Sequence, residues 1–472
     1  MNDQHITALQ NLVDDKGFIQ AEDARPAYDI GARGDYGHAL CILRPNSTEQ
    51  VSRIVSYCAT HDIHIIPQSG NTGLVGGSIA DDSGTQVLIN LERMNEVHDI
   101  DVANASIHVD AGTRLSTANN ALESNQYHIP IDLGSDPCIG GMISTNTGGS
   151  RYLKYRGMRE QVMGLKAVLA DKNGTIVDML CPLHKNNTGF DTKQLFIGSC
   201  GSFGIITEAI IRVSPLLQQR ASALLIPSSM SAITDLLIEI EKSFGSYLSA
   251  FEGMSKNAMR CALNHCPSLS SPFGQDDIPD YAILIEISRS WPQREAEQEL
   301  DDVLESTLAN LWENSPPLLD NALIGSDEKL WALRHGLSEG VQKSGTLYAF
   351  DISVKRSDII PLRLHIETGI KAKYGNTLTL CDFGHVGDGA LHCALVLDKD
   401  DPRGRDKSFE KELREWVNDQ VVLEFGGSYS AEHALGRKVQ DAYNKYTPAE
   451  IRQITRQIKQ AIAPAPIGTV DL

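Results

Sequence analysis

The chain has few positive charges, no closely spaced cysteine pair and no long apolar segment. Its 472 residues carry a formal net charge of -19, which disfavours binding to nucleic acids and to anionic membrane surfaces. No apolar run reaches the roughly 18 residues that a membrane-spanning helix needs, so no transmembrane segment is predicted. The nine cysteines include no Cys-x-x-Cys pair, and their odd number is typical of reduced thiols rather than of a disulfide framework.

Length and composition indicate a globular protein of more than one domain. The chain is too long for a single hydrophobic core, so two or three domains are expected. An apolar content of 41% and a charged content of 22% are ordinary for such proteins. The first residues, Met1 to His5, show neither a signal-peptide pattern nor the arginine-rich character of a transit peptide, so we expect a cytoplasmic location.

Glycines form three clusters before residue 216, at 70–77, 134–149 and 198–204, and strand-like runs alternate with them. Glycine lets a backbone approach a ligand closely and present its N–H groups. Each cluster alone is most simply a set of tight turns, but three of them between strands favour a large phosphate-bearing ligand. No Gly-x-Gly-x-x-Gly follows a strand, which disfavours NAD.

A histidine stands on either side of Asp388-Gly389, a dipeptide typical of a two-residue β-hairpin loop. In such a hairpin His385 would directly face His392, with Cβ atoms roughly 4.5–5.5 Å apart. Two imidazoles so placed can share a metal ion, and Glu432 would add a third ligand while leaving an open position, as in catalytic zinc sites. The alternative is an incidental histidine pair at a glycine-rich turn.

The second half of the chain alternates predicted strands, at 222–226, 281–288 and 347–355, with predicted helices. A further helix is predicted after Thr447-Pro448. Three isoleucines at helical spacing predict its buried stripe: Ile451, Ile454 and Ile458.

The glycine-rich segments resemble the FAD-binding domain of the vanillyl-alcohol-oxidase or p-cresol methylhydroxylase (PCMH) type. The segments that carry this resemblance are 67–78, 139–149, 185–190 and 195–207. Together with 385–392 and Glu432-His433, they resemble the FAD-dependent D-2-hydroxyacid dehydrogenases. That family includes D-2-hydroxyglutarate dehydrogenase and, more distantly, D-lactate dehydrogenase and the glycolate oxidase flavin subunit.

The resemblance implies an α+β fold with three parts. We expect an FAD-binding domain of the vanillyl-alcohol-oxidase/PCMH type at 1–216, with its core at about 35–215. An α+β substrate (cap) domain with an antiparallel sheet, which carries the metal hairpin, is expected at 217–425. A C-terminal helical segment at 426–472 is expected to pack near the flavin.

The resemblance also assigns the flavin contacts. They are expected at Pro67, Gln68, Ser69, Gly70, Asn71, Thr72, Gly73, Ser78, Gly134, Ser135, Gly140, Gly141, Thr145, Asn146, Gly148, Gly149, Gly204 and Ile206. The loop 67–73 contains no histidine or cysteine, and relatives with covalent flavin often attach it there. We therefore predict non-covalent FAD.

For the reaction, the resemblance implies that Zn²⁺, or Mn²⁺ or Co²⁺ in its place, is bound by His385, His392 and Glu432. The metal would chelate a D-2-hydroxyacid, and His433 would act as the general base for its 2-hydroxyl. The hydride would pass to N5 of the flavin, giving a 2-oxoacid. An acceptor such as electron-transferring flavoprotein or a quinone would reoxidise the flavin, and a homodimer is expected.

Arg334 lies in a Trp-x-x-Arg segment that matches the family and is expected to bind a substrate carboxylate bidentately. Ser338, four residues later on the same helical face, would add a hydroxyl contact. Three positions depart from the family pattern: Ala349 replaces a lysine, Ala394 an asparagine and Cys200 a glutamate.

The two alanines predict 2-hydroxyglutarate or a related acid with a less polar tail as the substrate. The alternatives are a D-lactate or glycolate type of dehydrogenase, a non-catalytic flavin-binding protein of the same fold, and a zinc hydrolase without flavin.

Overall fold

The computed structural model describes residues 3–273, 278–313 and 316–472. The strands are β1 Phe18–Ile19, β2 Cys41–Leu43, β3 Ile65–Gln68, β4 Val87–Asn90, β5 Val97–Asp101, β6 Ser106–Asp110, β7 Tyr127–His128, β8 Val162–Leu169, β9 Ile176–Met179, β10 Gly204–Arg212, β11 Ser214–Pro215, β12 Gln219–Pro227, β13 Leu248–Ser255, β14 Tyr281–Arg289, β15 Leu319–Gly325, β16 Thr346–Ser353, β17 Leu378–Leu380, β18 Phe383–Gly384 and β19 Ala390–Leu397. The helices are α1 Asp3–Gln10, α2 Pro26–Asp29, α3 Thr48–Thr60, α4 Leu115–Glu123, α5 Ile139–Thr145, α6 Tyr152–Tyr155, α7 Met158–Gln161, α8 Ala232–Phe244, α9 Lys256–His265, α10 Leu300–Trp312, α11 Asp327–Lys343, α12 Ile359–Tyr374, α13 Lys407–Asp419, α14 Gln440–Tyr446 and α15 Ala449–Ile462.

The chain forms two compact units. Unit 1 consists of Met1–Gly149, Arg156–Leu216 and Glu432–Leu472, and unit 2 of Ser150–Tyr155 and Leu217–Ala431. Each unit is therefore assembled from separate stretches of the chain. Within the described residues, no helix is long and apolar enough to cross a lipid bilayer.

The first sheet of unit 1 has the strand order β1-β2-β4-β3, and β4 runs parallel to both β2 and β3. Helix α3 connects β2 to β3, which run parallel to each other on either side of β4. It begins after Ser47, whose hydroxyl accepts a hydrogen bond from the Gln50 N–H at 3.2 Å, and this fixes the start of the helix. Its buried face includes Val51, Ile54 and Val55.

The C-terminal tail adds to the edge of this sheet. Ile65 of β3 forms a parallel bridge with Ile467. The Ile65 N–H donates to Pro466 O at 3.1 Å, and the Gly468 N–H donates to Ile65 O at 2.9 Å. Because an unpaired strand edge leaves backbone groups without partners, the tail completes β3. The end of the chain is thus part of the unit that holds the glycine clusters.

The second sheet of unit 1 is antiparallel, with the order β5-β6-β10-β8-β9. A β-bulge interrupts the pairing of β5 with β6 between Val97 and Asp99. A second bulge interrupts the pairing of β10 with β8 between Ile206 and Glu208. Bulges change the direction in which nearby side chains point, so they matter for the polar face of this sheet.

Unit 2 is built on an eight-stranded sheet whose paired strands all run antiparallel, in the order β15-β12-β14-β13-β18-β19-β16, with β17 also paired to β19. Every residue of β14 is buried. Because side chains alternate along a strand, Ile283 and Ile285 enter one core, which includes residues of α8, α10 and α12. Ala282 and Leu284 enter a second core with residues of α9 and α11. Helices therefore cover both faces of the sheet.

The buried stripe predicted for the C-terminal helix is wrong. Helix α15 has no buried residue, and Ile451 and Ile454 are 52% and 53% exposed. The helix is tied to unit 1 through Lys459, whose ammonium donates to Ser202 O at 2.7 Å. Helical spacing identifies an amphipathic helix, but it does not show which face the rest of the protein covers.

Replacing an exposed isoleucine of α15 is expected to change stability little. Ile451→Ser should change the free energy of unfolding by less than about 0.5 kcal/mol, since surface substitutions usually stay within that range. Ile66→Ala, at a fully buried position of β3, should lower it by about 2–5 kcal/mol. Urea unfolding followed by circular dichroism measures both values, and a large loss for Ile451→Ser would contradict the exposed position of α15.

Candidate active site

The first glycine loop of unit 1, residues 69–78, lies against the start of α5. A Cβ atom added at Gly70 would lie 3.1 Å from the backbone nitrogen of Cys138. A Cβ atom added at Gly141 would lie 3.1 Å from the Ser69 hydroxyl oxygen. These separations are tighter than ordinary packing allows, so the first and second glycine clusters form one surface.

The third glycine cluster lies against the same short helix. The Gly198 N–H donates to Ile143 O at 3.0 Å, and the Cys200 N–H donates to Ser144 O at 2.8 Å. All three clusters, separated by up to about 130 residues in the sequence, therefore meet around α5 inside unit 1. This convergence is what the sequence pattern could suggest but not demonstrate.

Side chains hold the first loop in shape. The Gln68 amide donates to Tyr28 O at 2.8 Å and to Ser78 O at 2.9 Å. Asn71 has a left-handed backbone with φ of 52°, and its side-chain oxygen accepts a hydrogen bond from the Ser78 hydroxyl at 2.9 Å. Within the described part of the chain, the backbone N–H groups of residues 70–77 have no acceptor. The loop is therefore a fixed array of donors, as a pyrophosphate requires.

The glycines assigned to the flavin differ in what surrounds them. Nothing lies within 4 Å of a Cβ atom added at Gly73 or Gly134. A Cβ at Gly140 would lie 2.6 Å from the Cβ of Ala111, and one at Gly204 would collide with Val168 O. Gly140 and Gly204 are thus explained by close packing, whereas Gly73 and Gly134 leave open space for a ligand.

The remaining residues that were assigned to the flavin lie either in these loops or in the core of unit 1. The Asn146 side-chain oxygen accepts from the Arg159 N–H at 2.8 Å, which ties α5 to α7. Ile206 is buried in β10. The others flank α5 in the first and second clusters or lie at its end: Pro67, Thr72, Ser135, Thr145, Gly148 and Gly149.

The segment that follows His433 packs on the first loop. The Leu435 N–H donates to the Cys200 sulfur at 3.3 Å, and the Lys438 N–H donates to Val75 O at 3.2 Å. Cys200, which stands where the family usually has glutamate, thus binds the C-terminal segment within unit 1. No local pattern indicates this contact, because Cys200 and Leu435 are 235 positions apart.

In unit 2, His385 and His392 come together, but not as the predicted directly opposed pair. Phe383, not His385, pairs with His392 across β18 and β19. The connection is longer than two residues because the Asp388 N–H donates to His385 O at 3.0 Å and the Gly389 N–H donates to Val386 O at 3.3 Å, which forms a 3₁₀ turn. His385 lies at the start of this turn, and its ring centre is 5.1 Å from that of His392 in an edge-to-face arrangement.

Each of these imidazoles faces a carboxylate through Nδ1. His385 Nδ1 lies 2.8 Å from Oε1 of Glu252, and His392 Nδ1 lies 3.8 Å from Oδ1 of Asp351. Asp351 is also the cross-strand partner of His392. Metal-binding histidines commonly use one ring nitrogen for such a carboxylate and the other for the metal. The arrangement therefore favours both Nε2 atoms as ligands.

Sequence analysis missed Glu252. It lies in β13, where every residue is buried, and an acidic residue in an otherwise uncharged strand was the available signal. Its other carboxylate oxygen accepts from Arg334, at 2.8 Å from Nε and 2.7 Å from Nη2. The Arg334 guanidinium also lies over the Phe383 ring at 5.3 Å. Arg334 is thus buried in an ion pair, whereas Ser338 on the same helix is exposed.

Glu252 is ionised at neutral pH despite its complete burial. Burial acts to raise the pKa of this carboxyl, but the charges of His385 and Arg334 and their hydrogen bonds outweigh it and lower the pKa to about 2. The carboxylate is therefore a fixed negative charge between the imidazole and the guanidinium. It orients His385 and neutralises Arg334 at the same time.

Replacing Glu252 is expected to reveal this charge in the pH dependence of stability. Because Glu252→Gln leaves Arg334 buried without its counter-ion, it should lower the free energy of unfolding at pH 7 by about 3–5 kcal/mol. A lowered folded-state pKa stabilises the protein above the ordinary carboxyl pKa of 4.5 and loses this effect as the pH falls towards 2. The difference between variant and wild type should therefore shrink across that range in urea unfolding.

The exposed Glu305→Gln is the matched control, and it should behave like wild type throughout. A difference between Glu252→Gln and wild type that stays constant from pH 7 to pH 2 would contradict an ionised Glu252.

Two protein families match the chain in succession. The family described as "FAD binding domain" matches residues 39–179, and the family described as "FAD linked oxidases, C-terminal domain" matches residues 216–467. The first match includes the first and second glycine clusters and α5, whereas the third cluster, at 198–204, lies beyond it. The second match includes His385, His392, Glu252 and Arg334.

Curated relatives match almost the entire chain. The mitochondrial D-2-hydroxyglutarate dehydrogenase of Bos taurus is 32% identical over 476 residues, which cover 98% of this chain and 82% of the relative. That of Arabidopsis thaliana is 31% identical over 471 residues, which cover 98% of this chain and 78% of the relative. Both are named as mitochondrial proteins, so the prediction of a cytoplasmic location is wrong.

The fold is similar to that of p-cresol methylhydroxylase solved with bound substrate, with a TM-score of 0.73 at 15% identity, over 98% of this chain and 95% of that one. This similarity confirms the predicted α+β fold with a PCMH-type FAD-binding part. The family matches and the full-length relatives confirm an FAD-dependent oxidoreductase. The chain therefore belongs to the FAD-dependent D-2-hydroxyacid dehydrogenase family, which includes D-2-hydroxyglutarate dehydrogenase.

Proposed function

We propose that this dehydrogenase uses a divalent metal ion, most simply Zn²⁺, held by His385, His392 and Glu432, and that His433 is its general base. The observation that carries the proposal is the pair of neighbouring imidazoles, each with a carboxylate at Nδ1. Imidazole and carboxylate ligands fit Zn²⁺, and also Mn²⁺ or Co²⁺. The donors present in unit 2 thus fit the metal that the resemblance implied.

The path of the chain supports Glu432 as the third ligand. The N–H of Ala431, the last residue of unit 2, lies 3.1 Å from both the backbone oxygen and the Oδ2 atom of Asp351. Asp351 is directly opposite His392 on the neighbouring strand. Glu432 is the next residue after Ala431 in the chain, and we propose its carboxylate as the third ligand.

When bound, FAD supplies the acceptor for the hydride from the substrate's 2-carbon, and the divalent cation supplies the positive charge that lowers the pKa of the 2-hydroxyl. His433 takes the hydroxyl proton on its imidazole. Glu252 keeps Nδ1 of His385 engaged, which leaves Nε2 for the metal and fixes the ring. Arg334, held by the same carboxylate, provides the positive charge for a substrate carboxylate.

The flavin is held non-covalently. The cradle around α5 offers backbone donors, and the thiols beside it are poor nucleophiles. Burial raises the pKa of the Cys138 thiol to about 11 and also raises the pKa of Cys200. A protonated thiol does not attack a ring carbon. An acceptor such as electron-transferring flavoprotein or a quinone reoxidises the flavin.

The substrate is 2-hydroxyglutarate or a related D-2-hydroxyacid with a less polar tail. Ala349 and Ala394, the two departures from the family pattern, are directly opposite each other on β16 and β19. Positions two apart on a strand share a face, so this pair lies beside Asp351 and His392 on the same face. A methyl pair here replaces two polar side chains, and Leu347 extends the apolar strip. 2-Hydroxyglutarate remains a candidate through Arg334, with D-lactate-type acids as the alternative.

Removing the proposed base should stop turnover without loss of flavin. His433→Ala should lower kcat by at least about 100-fold, the usual contribution of general base catalysis. Turnover is measured with a panel of D- and L-2-hydroxyacids and a dye acceptor, before and after treatment with a chelator. The chelator should also remove activity, and Zn²⁺ should restore it, while the flavin spectrum stays unchanged.

His184→Gln, at an exposed histidine of unit 1, is the control and should retain full turnover. Full activity of His433→Ala, or of the metal-free enzyme, would overturn the proposed mechanism. Absence of turnover on every acid, with flavin bound, would instead favour a non-catalytic flavoprotein.

Restoring polarity to the alanine pair should change substrate preference. The double variant Ala349→Lys, Ala394→Asn should raise kcat/KM for 2-hydroxyglutarate relative to 2-hydroxybutyrate by roughly 10- to 100-fold, the size of one or two new polar contacts. Ala309→Lys, on the exposed face of α10, is the matched control and should leave the ratio unchanged. An unchanged ratio in the double variant would place the tail elsewhere.

A further inference from the structure

The outer face of the five-stranded sheet in unit 1 carries a second group of metal-binding side chains. His98, His108 and Glu208 each offer one donor atom, and these atoms all lie within 4.8 Å of one another. The two imidazole ring centres are 4.6 Å apart. His108 Nε2 lies 2.9 Å from Oε2 of Glu208. Two ligands on one tetrahedral ion, with bonds of about 2.0 Å, lie roughly 3.3 Å apart, so little movement is needed.

A β-bulge places His98 in this group. Val97 pairs with Val109 and Asp99 pairs with His108, so His98 is the extra residue of β5. A bulge changes the direction of the side chains around it, and such bulges are frequent near functional sites. In a regular strand, successive side chains point to opposite faces of the sheet. The extra residue interrupts this alternation at His98, on the strand that pairs with His108. The irregularity therefore assembles the donor set.

The backbone register also gathers negative charge here. Asp110 of β6 and Glu208 of β10 are directly opposite each other. Like charges in directly opposed positions of adjacent strands destabilise a sheet. A cation bound between them would offset this repulsion. Lys166 of β8 is opposite Glu208 and offsets only part of this repulsion. Its ammonium lies 2.7 Å from Oε1 of Glu208, the oxygen that is not next to His108.

The surroundings complete a second layer. His98 Nε2 lies 2.9 Å from Oδ1 of Asp110, and His98 Nδ1 lies 4.0 Å from Glu96. A carboxylate on one ring nitrogen fixes the ring and makes the other nitrogen a better ligand. Asp178 lies 3.7 Å from Lys166. The group thus contains four carboxylates and one ammonium, and the histidine side chains are 29% and 25% exposed, which leaves a path from solvent.

We propose that His98, His108 and Glu208 form a binding site for a divalent transition metal ion of the Zn²⁺ class, separate from the residues proposed for catalysis. The ion links β5, β6 and β10, the three strands that contribute the ligands. Its role is structural, because all the ligands come from one sheet of unit 1. An ion that binds only the folded state stabilises that state by an amount that rises with the logarithm of the ion concentration once this exceeds Kd.

The test counts ions on the full-length, FAD-loaded protein. The protein is stripped with a chelator, equilibrated with Zn²⁺ and desalted, and the zinc per chain is then measured by elemental analysis. All variants carry His392→Gln, which lowers the amount of zinc bound at the proposed catalytic site. Adding His98→Gln and His108→Gln should reduce the count by one ion per chain and abolish the rise in melting temperature that Zn²⁺ produces. His184→Gln is the matched histidine control and should change neither value.

In the otherwise wild-type enzyme, His98→Gln and His108→Gln should leave turnover and flavin content unchanged, which separates this site from the proposed catalytic metal. An equal zinc count with and without these substitutions would overturn the proposal and leave the cluster as a hydrogen-bonded network only. If the double variant loses its flavin, the Zn²⁺ affinity of the Lys166→Met variant tests the proposal instead. Removal of that ammonium should tighten Zn²⁺ binding on the order of 10-fold, since it repels a cation at this distance, and unchanged affinity would contradict the site.

Discussion

The candidate active site depends on one buried carboxylate. Glu252 lies in the middle of a fully buried strand and pairs with His385 through one oxygen and with Arg334 through the other. An isolated charge in such a place costs several kcal/mol, so the contacts with the Arg334 guanidinium and with Nδ1 of His385 are conditions for its presence there. These contacts make a charged residue in β13 compatible with the core. They also orient the ring of His385, a proposed metal ligand, and fix the guanidinium of Arg334, which is proposed to bind the substrate.

The flavin cradle follows a different principle, because it is made of backbone rather than of charge. Three glycine clusters reach the same short helix, α5, from three parts of the chain. Some of their glycines are required by packing, as at Gly140, and others leave open space, as at Gly73. A glycine-rich sequence does not distinguish glycines required by packing from glycines that leave space for a ligand. The atoms around each glycine in the structure make this distinction. Cys200 then ties the C-terminal segment, which carries His433, to the same cradle.

Much of the fold could be read from local patterns. The strands predicted at 222–226 and 281–288 are present within β12 and β14, because apolar runs of this length are typical of buried strands. The failures share one cause. His385 does not face His392 because backbone hydrogen bonds close a longer 3₁₀ turn, and Ile451 is exposed because nothing covers that face of α15 within the described residues. Both outcomes depend on partners that periodicity does not reveal.

The sequence by itself determined the family, the class of cofactor and the identity of the histidines and acids that carry the proposed chemistry, because these reside in ordered local motifs. Only the tertiary structure decided which residues meet. It brought Glu252 to His385 across 133 positions and showed that Ala349 and Ala394, read separately as two departures, are one cross-strand pair. It also gathered His98, His108 and Glu208 on one face through a bulge. Strand register and turn closure are set by packing over the whole unit, and no local pattern encodes them.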